Sequence, residues 1–239
     1  MPKKREPLKF IPDIPHVILC EGRDEELFLR YYIEYLVERH IVPDTFNIID
    51  LGGNEDLRKK LRKRKFPSSI PFFDNYDRMR GFLIIRDAES DAGGAAQSLQ
   101  HHMNEAFGIH IQLDGQFVQN PDGIRFGFVL LPGKNAEGDF CDGTLEDLCC
   151  QILKENPNEF SGEDLLTLSN SYLDTVEHER GTSLRTAHKN KLHAYFSGTD
   201  RFVGLKIGEA ARAQCFDFSS PVLDFLKEAL IELSSSDET

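Results

Sequence analysis

The stretch HVILCEGRDEELFL, residues 16–29, decides how this chain is read. It opens with a short apolar run, His16 to Cys20, whose length suits a buried strand better than a helix. The run ends on Glu21 and turns at Gly22. Three acids follow, Asp24, Glu25 and Glu26, which suit the first turn of a helix because the helix dipole favours negative charge there. A carboxylate just beyond the C-terminal end of a buried strand lies on the rim where open α/β sheets bind their ligands. A second such tip lies in residues 81–91, GFLIIRDAESD, where an apolar run again ends in acids, Asp87, Glu89 and Asp91. Two acid-bearing strand tips predict one shared metal-binding rim.

Working outward from the first tip, residues Asp24 to Arg39 form a helix with Leu27, Phe28, Tyr31, Tyr35 and Leu36 on one face. A Pro43–Asp44 turn leads to a strand over Phe46–Leu51, and Gly52–Gly53 opens a second helix with Asn54 as its cap. The strand of the second tip spans Phe82–Arg86, followed by a helix over Ala95–Phe107. Ile109–Leu113 reads as a strand or an extended link, and Arg125–Leu131 as the fourth strand. Strands alternating with helices predict an α/β fold with a mainly parallel four-stranded sheet flanked by helices. The glycine-rich loop 133–143, GKNAEGDFCDG, then leads to Thr144, which caps a helix over Leu145–Lys154 with Asp147 in a capping-box position. Residues 156–181 are helical without a clear pattern, and Ala187–Phe196 form a further helix. The last helix is capped by Ser219 or Ser220 with Pro221 at its first position. This divides the chain into an α/β core over 14–150, a helical C-terminal extension over 151–233, and flexible arms at 1–13 and 234–239.

The 239 residues carry a formal net charge of -12, which argues against a surface coated in positive charge for nucleic-acid binding. A local basic groove is still compatible with that total. Arg58, Lys59, Lys60, Arg62, Lys63, Arg64 and Lys65 make a concentrated basic run, readable either as a solvated helix face or as a phosphate-contacting patch. The five cysteines show no C-x-x-C spacing and no zinc-finger arrangement with histidine, so they read as reduced thiols. The basic N-terminus MPKKREPLKF is not followed by a signal-peptide apolar region, and no run approaches the roughly 20 apolar residues of a membrane helix. A soluble cytoplasmic protein that does not enter the membrane is the expectation.

The acids define the candidate chemistry. Asp87, Glu89 and Asp91 alternate out of a strand tip, which can aim carboxylates in one direction, and hard oxygen ligands suit Mg²⁺ or Mn²⁺. The alternative is an acidic surface loop. Glu146 starts the helix after the glycine-rich loop, either as a dipole complement or as a further metal ligand. Lys134 lies in the loop after the fourth strand and is either a surface lysine or a stabiliser of transition-state phosphate charge.

The two tips together resemble the Toprim superfamily of topoisomerases, primases and nucleases of the overcoming-lysogenisation-defect class. Cys20–Glu21–Gly22 with the helix behind it matches the Glu-Gly strand end of that family, and Asp87–Ala88–Glu89 matches its Asp-x-Asp strand end, with Glu89 in place of the second aspartate. The segments GTLEDL at 143–148, AHKNKLHAYF at 187–196 and GEAARAQCFDFSSPVLDFLKEAL at 208–230 are similar to a compact bacterial Toprim-like family known as a domain of unknown function. The resemblance implies a Toprim-like Rossmannoid core, with Glu21 as general acid or base and Asp87, Glu89, Asp91 and Glu146 as Mg²⁺ (or Mn²⁺) ligands. It implies a phosphodiesterase or nuclease acting on DNA or RNA. The resemblance also implies a second class of function, a catalytically weak or inactive interaction module working with a partner ATPase, for example in phage defence; the chain has no phosphate-binding G-x-x-x-x-G-K-[ST] motif of its own, so ATP hydrolysis would come from that partner. A homo-oligomer is compatible with either reading.

Overall fold

A computed structural model describes residues 14–52, 78–155, 164–184 and 186–235. Strands β1 (His16–Cys20), β2 (Phe46–Asp50), β3 (Gly81–Asp87), β4 (Val118–Gln119) and β5 (Arg125–Leu131) form one sheet in the order β2-β1-β3-β5-β4. The pairings β1–β2, β1–β3 and β3–β5 are parallel, and only β4 runs antiparallel to β5. The helices are α1 (Arg23–Glu38), α2 (Ala92–Phe107), α3 (Leu145–Glu155), α4 (Leu165–Arg180), α5 (Ala187–Ser197), α6 (Ile207–Arg212) and α7 (Asp224–Ser234). A single 3-10 turn, Pro221–Leu223, leads into α7, with the Ser220 hydroxyl accepting from Val222 N–H.

The central strands β1, β3 and β5 carry near-continuous apolar runs because both faces of the sheet are covered there. Successive residues of each strand go to opposite faces. Ile18, Cys20, Leu83, Ile85, Val129 and Leu131 face a core built with α1, α3, α5, α6 and α7. Val17, Leu19, Phe82, Ile84, Phe126 and Phe128 face the second core, closed by Ala95, Ala96, Leu99 and Met103 of α2. The helices of the C-terminal part thus share the first core with α1, and Tyr32 of α1 donates its hydroxyl to Leu223 O at 3.2 Å. Helix α6 comes close to α1 because Gly208 has no side chain, since a Cβ there would meet Leu27 Cβ at 2.5 Å. The same glycine donates its N–H to Asp24 Oδ1 at 3.2 Å.

One expectation changes, and one alternative left open is decided. The sheet has five strands rather than four, because Val118–Gln119 adds a two-residue antiparallel edge, too short to show a period of two. Ile109–Leu113 joins no strand, and Ile109 and Ile111 are buried as part of an irregular link. Helix α6 was not legible as a separate element. The expected helix after Gly53, the basic run Arg58–Lys65 and the arm at 1–13 lie outside the described residues. Among the described residues no helix is long and apolar enough to cross a membrane.

Candidate active site

The strand order sets the location of the site. The chain passes from β1 outward to β2, then returns to place β3 on the other side of β1, so the sheet changes direction between β1 and β3. Open α/β sheets carry their ligand crevice beyond the C-terminal ends of the strands at such a point. Glu21 follows β1 and Asp87 ends β3. The parallel register pairs Cys20 with Ile85, which brings Glu21 level with Arg86.

Glu21 and Arg86 form a buried ion pair, with Arg86 Nε at 3.1 Å from Glu21 Oε1 and side chains 3% and 9% exposed for Arg86 and Glu21. Arg86 Nε also donates to Asp87 O at 3.3 Å. Asp87 accepts from the backbone N–H of Leu145 at 2.8 Å, so the β3 tip is seated on the N-terminus of α3, where exposed N–H groups favour an anion. Thr144 completes that helix start by donating its N–H and hydroxyl to Asp147 Oδ2, at 3.0 and 3.1 Å.

Three other acids act on Asp87 here. Burial, then the charges of Glu25, Glu21 and Glu146, push the Asp87 carboxyl up to about 9. Burial, then Glu146, Asp24 and Asp50, raise Glu25 as well. Asp87 thus feels the charges of Glu25, Glu21 and Glu146, and Glu25 in turn feels that of Glu146, at the sheet's rim. The neighbouring Glu26 belongs to a different arrangement. It is buried and held by Arg23 and by Arg30, the latter at 2.9 Å.

Of the acids named from sequence, Glu21, Asp87 and Glu146 are brought together. Glu89 is exposed, its backbone lies at φ 60, and its N–H and C=O pair with Gly143. Asp91 is exposed and caps α2, accepting from Gly94 N–H at 2.8 Å. Neither is among the charges that shift Asp87. Lys134 is exposed and lies over the Phe140 ring at 4.9 Å, in the bridge that folds the glycine-rich loop. Sequence reasoning missed two residues. Glu25 was read as a dipole complement of α1, although the same first turn points at the rim. Lys189 of α5 approaches Glu146 Oε1 at 3.8 Å. The run His188–Lys189–Asn190–Lys191 carried the signal, but not its direction.

The donors are all carboxylate oxygens, the set that suits Mg²⁺ or Mn²⁺. Among the described residues no group of three or more His, Cys, Asp or Glu side chains is placed to hold a metal ion. The rim fits a cation that takes one or two carboxylates and fills its other positions with water or substrate oxygen, as Mg²⁺ does. The thiols offer no alternative, since all five are free and burial raises Cys20 and Cys149 well above the usual thiol range.

No match was found among curated proteins or among solved structures. A family model does match, over residues 15–235, spanning the sheet, the acid rim and the C-terminal helices. The chain belongs to the family described as "Protein of unknown function (DUF3226)".

Proposed function

We propose that the acidic rim is the site of a Mg²⁺- or Mn²⁺-dependent phosphodiester hydrolase acting on nucleic acid, on a Toprim-like core. The observation that carries this reading is that Asp87, at the point where strand order reverses, lies within the electrostatic reach of Glu25, Glu21 and Glu146. Repulsion among buried and half-buried carboxylates costs stability, and a divalent cation relieves it. The Glu-Gly tip and the Asp-x-Glu tip on adjacent strands support the Toprim-like assignment.

In this reading Asp87 and Glu146 hold the cation with help from Glu25, whereas Glu89 and Asp91 serve the loop and the α2 cap. The bound cation supplies charge neutralisation at the phosphodiester. The N–H of Leu145 orients Asp87. Arg86 orients the Glu21 carboxylate, which exchanges a proton with the attacking water or the leaving hydroxyl. Lys189, rather than Lys134, is the cation placed to meet a phosphate oxygen beside Glu146. The basic residues Arg58–Lys65 are the proposed path for the polynucleotide backbone.

A second reading is an inactive module that works with a partner ATPase. The Glu21–Arg86 pair favours it, because a built-in cation already answers the acid assigned to proton transfer. Cleavage of plasmid DNA, single-stranded DNA and RNA in Mg²⁺ and in Mn²⁺ separates the two. The hydrolase reading expects cleavage that falls by at least roughly 100-fold in Glu21→Gln. Metal binding without cleavage of any of these substrates favours the partner-dependent module.

A further inference from the structure

A second cleft lies at the C-terminal end of α1, at the opposite end of that helix from the acid rim. It has a volume of about 320 Å³ and is formed between α1 and the segment from α6 to Phe218. Its walls are aromatic. Tyr31 and Tyr35 lie one helical turn apart on α1, and Phe218 meets Tyr35 edge-on at 5.9 Å. The Arg39 guanidinium lies over the Tyr35 ring, 3.6 Å from its centroid, and Nη1 donates to Tyr35 O at 3.2 Å. Glu34 and Glu38 stand on the same helix, and Asp217 faces them from the other wall, its Oδ1 accepting from the Ser219 N–H and hydroxyl.

The cleft is thus already built around a guanidinium, and that guanidinium belongs to its own chain. Arg39 is exposed and tethered by one turn of helix, so it can swing off the ring into solvent. Without it the lining charges are three carboxylates against Arg212. An aromatic floor ringed by carboxylates attracts a planar cation through both the ring quadrupole and direct charge. A nucleobase could also stack on Tyr35, but its phosphates would meet Glu34, Glu38 and Asp217, so charge favours the cation. We infer that this cleft is a docking site for an arginine side chain presented by a partner protein, and that Arg39 occupies it until the partner arrives. Binding then exchanges one guanidinium for another on Tyr35, and Arg39 acts as an internal competitor.

The test is a titration of the full chain with the peptide acetyl-Gly-Arg-Gly-amide, followed by NMR of ¹³C-labelled tyrosine rings. The expected result is saturable shifts of Tyr31 and Tyr35, with no such shifts from the citrulline counterpart, which has the same shape without the charge. Arg39→Ala is expected to tighten binding by roughly 2- to 5-fold, the gain from removing an exposed cation–π competitor. Glu34→Gln with Glu38→Gln is expected to weaken it, and thermal melts confirm that these exposed-face variants fold. The inference is overturned if the arginine peptide causes no saturable shift, if citrulline binds equally, or if Arg39→Ala weakens binding or leaves it unchanged. Saturation of the tyrosines by a single-stranded oligonucleotide instead of the peptide also overturns it.

Discussion

The backbone N–H of Leu145 reaches Asp87 Oδ1 at 2.8 Å, joining the start of α3 to the tip of β3 across 58 positions of sequence. That bond places a carboxylate on a helix N-terminus and, by seating α3, brings Glu146 of its first turn against Asp87. The same contact that satisfies one charge therefore gathers the charges that oppose it.

Asp87→Asn tests that balance. The substitution keeps an oxygen for the Leu145 N–H and removes one charge from the cluster. The Asp87 carboxyl is raised from 3.8 to about 9 in the folded chain, so the folded state favours the protonated form. Its contribution to stability is present below the unfolded value near 3.8 and is lost progressively as pH rises toward 9. In metal-free buffer the variant is expected to gain on wild type as pH rises from 5 to 8, by at least about 2–4 °C in Tm, which corresponds to roughly 1 kcal/mol for a chain of this size. A variant that loses ground over that range would contradict the assignment.

Arg86→Met leaves Glu21 buried without its ion-pair partner at 3.1 Å. Breaking a buried pair from one side costs about 3–5 kcal/mol. Urea unfolding should show a loss of that size at an unchanged m-value. A loss below about 1 kcal/mol would indicate that solvent reaches the pair freely.

Gly143→Ala addresses the loop that presents α3. Gly143 has φ 138, and a Cβ there would meet Pro132 Cδ at 2.9 Å and Asp147 Oδ2 at 3.0 Å. Its N–H and C=O pair with Glu89, at 2.7 and 2.8 Å. The expected effect is a destabilisation of about 1–3 kcal/mol with loss of amide-exchange protection at Glu89. Protection unchanged from wild type would show that this bridge does not hold the loop.

The thiols should be slow to react. Burial pushes Cys150 and Cys215 up to about 12 and raises Cys20 and Cys149 well above the usual thiol range. Iodoacetamide at pH 8 is expected to leave these four unmodified in the native chain and to alkylate them in urea. Mass spectrometry that found Cys150 modified natively would contradict the packing of α3 against α4 and α5.

The parts of the fold legible in sequence were those where burial on both faces gives an uninterrupted apolar run. His16–Cys20, Phe82–Arg86 and Arg125–Leu131 needed no partner to be recognised as strands. Val118–Gln119 and Ile207–Arg212 depend on tertiary contact, the first on β5 and the second on Gly208 against Leu27, and carry no periodic signal of their own. Within the site, Glu21 and Asp87 were legible because a strand end fixes where the next residue lies. Glu89 and Asp91 looked equivalent to Asp87 only while the strand was imagined to continue; the chain turns at Glu89, and Asp91 is taken up by the α2 cap. Glu25 and Lys189 were not legible, because a helix can be read from its sequence but the direction in which its exposed face looks cannot.

The central claim is that the gathered carboxylates hold a divalent cation. Calorimetric titration of Mg²⁺ into wild type and Asp87→Asn tests it most directly, since the variant keeps the Leu145 contact. The account predicts saturable binding to wild type in the millimolar range that is absent from Asp87→Asn. Equal heats from both proteins, or no saturable binding by wild type, would contradict it.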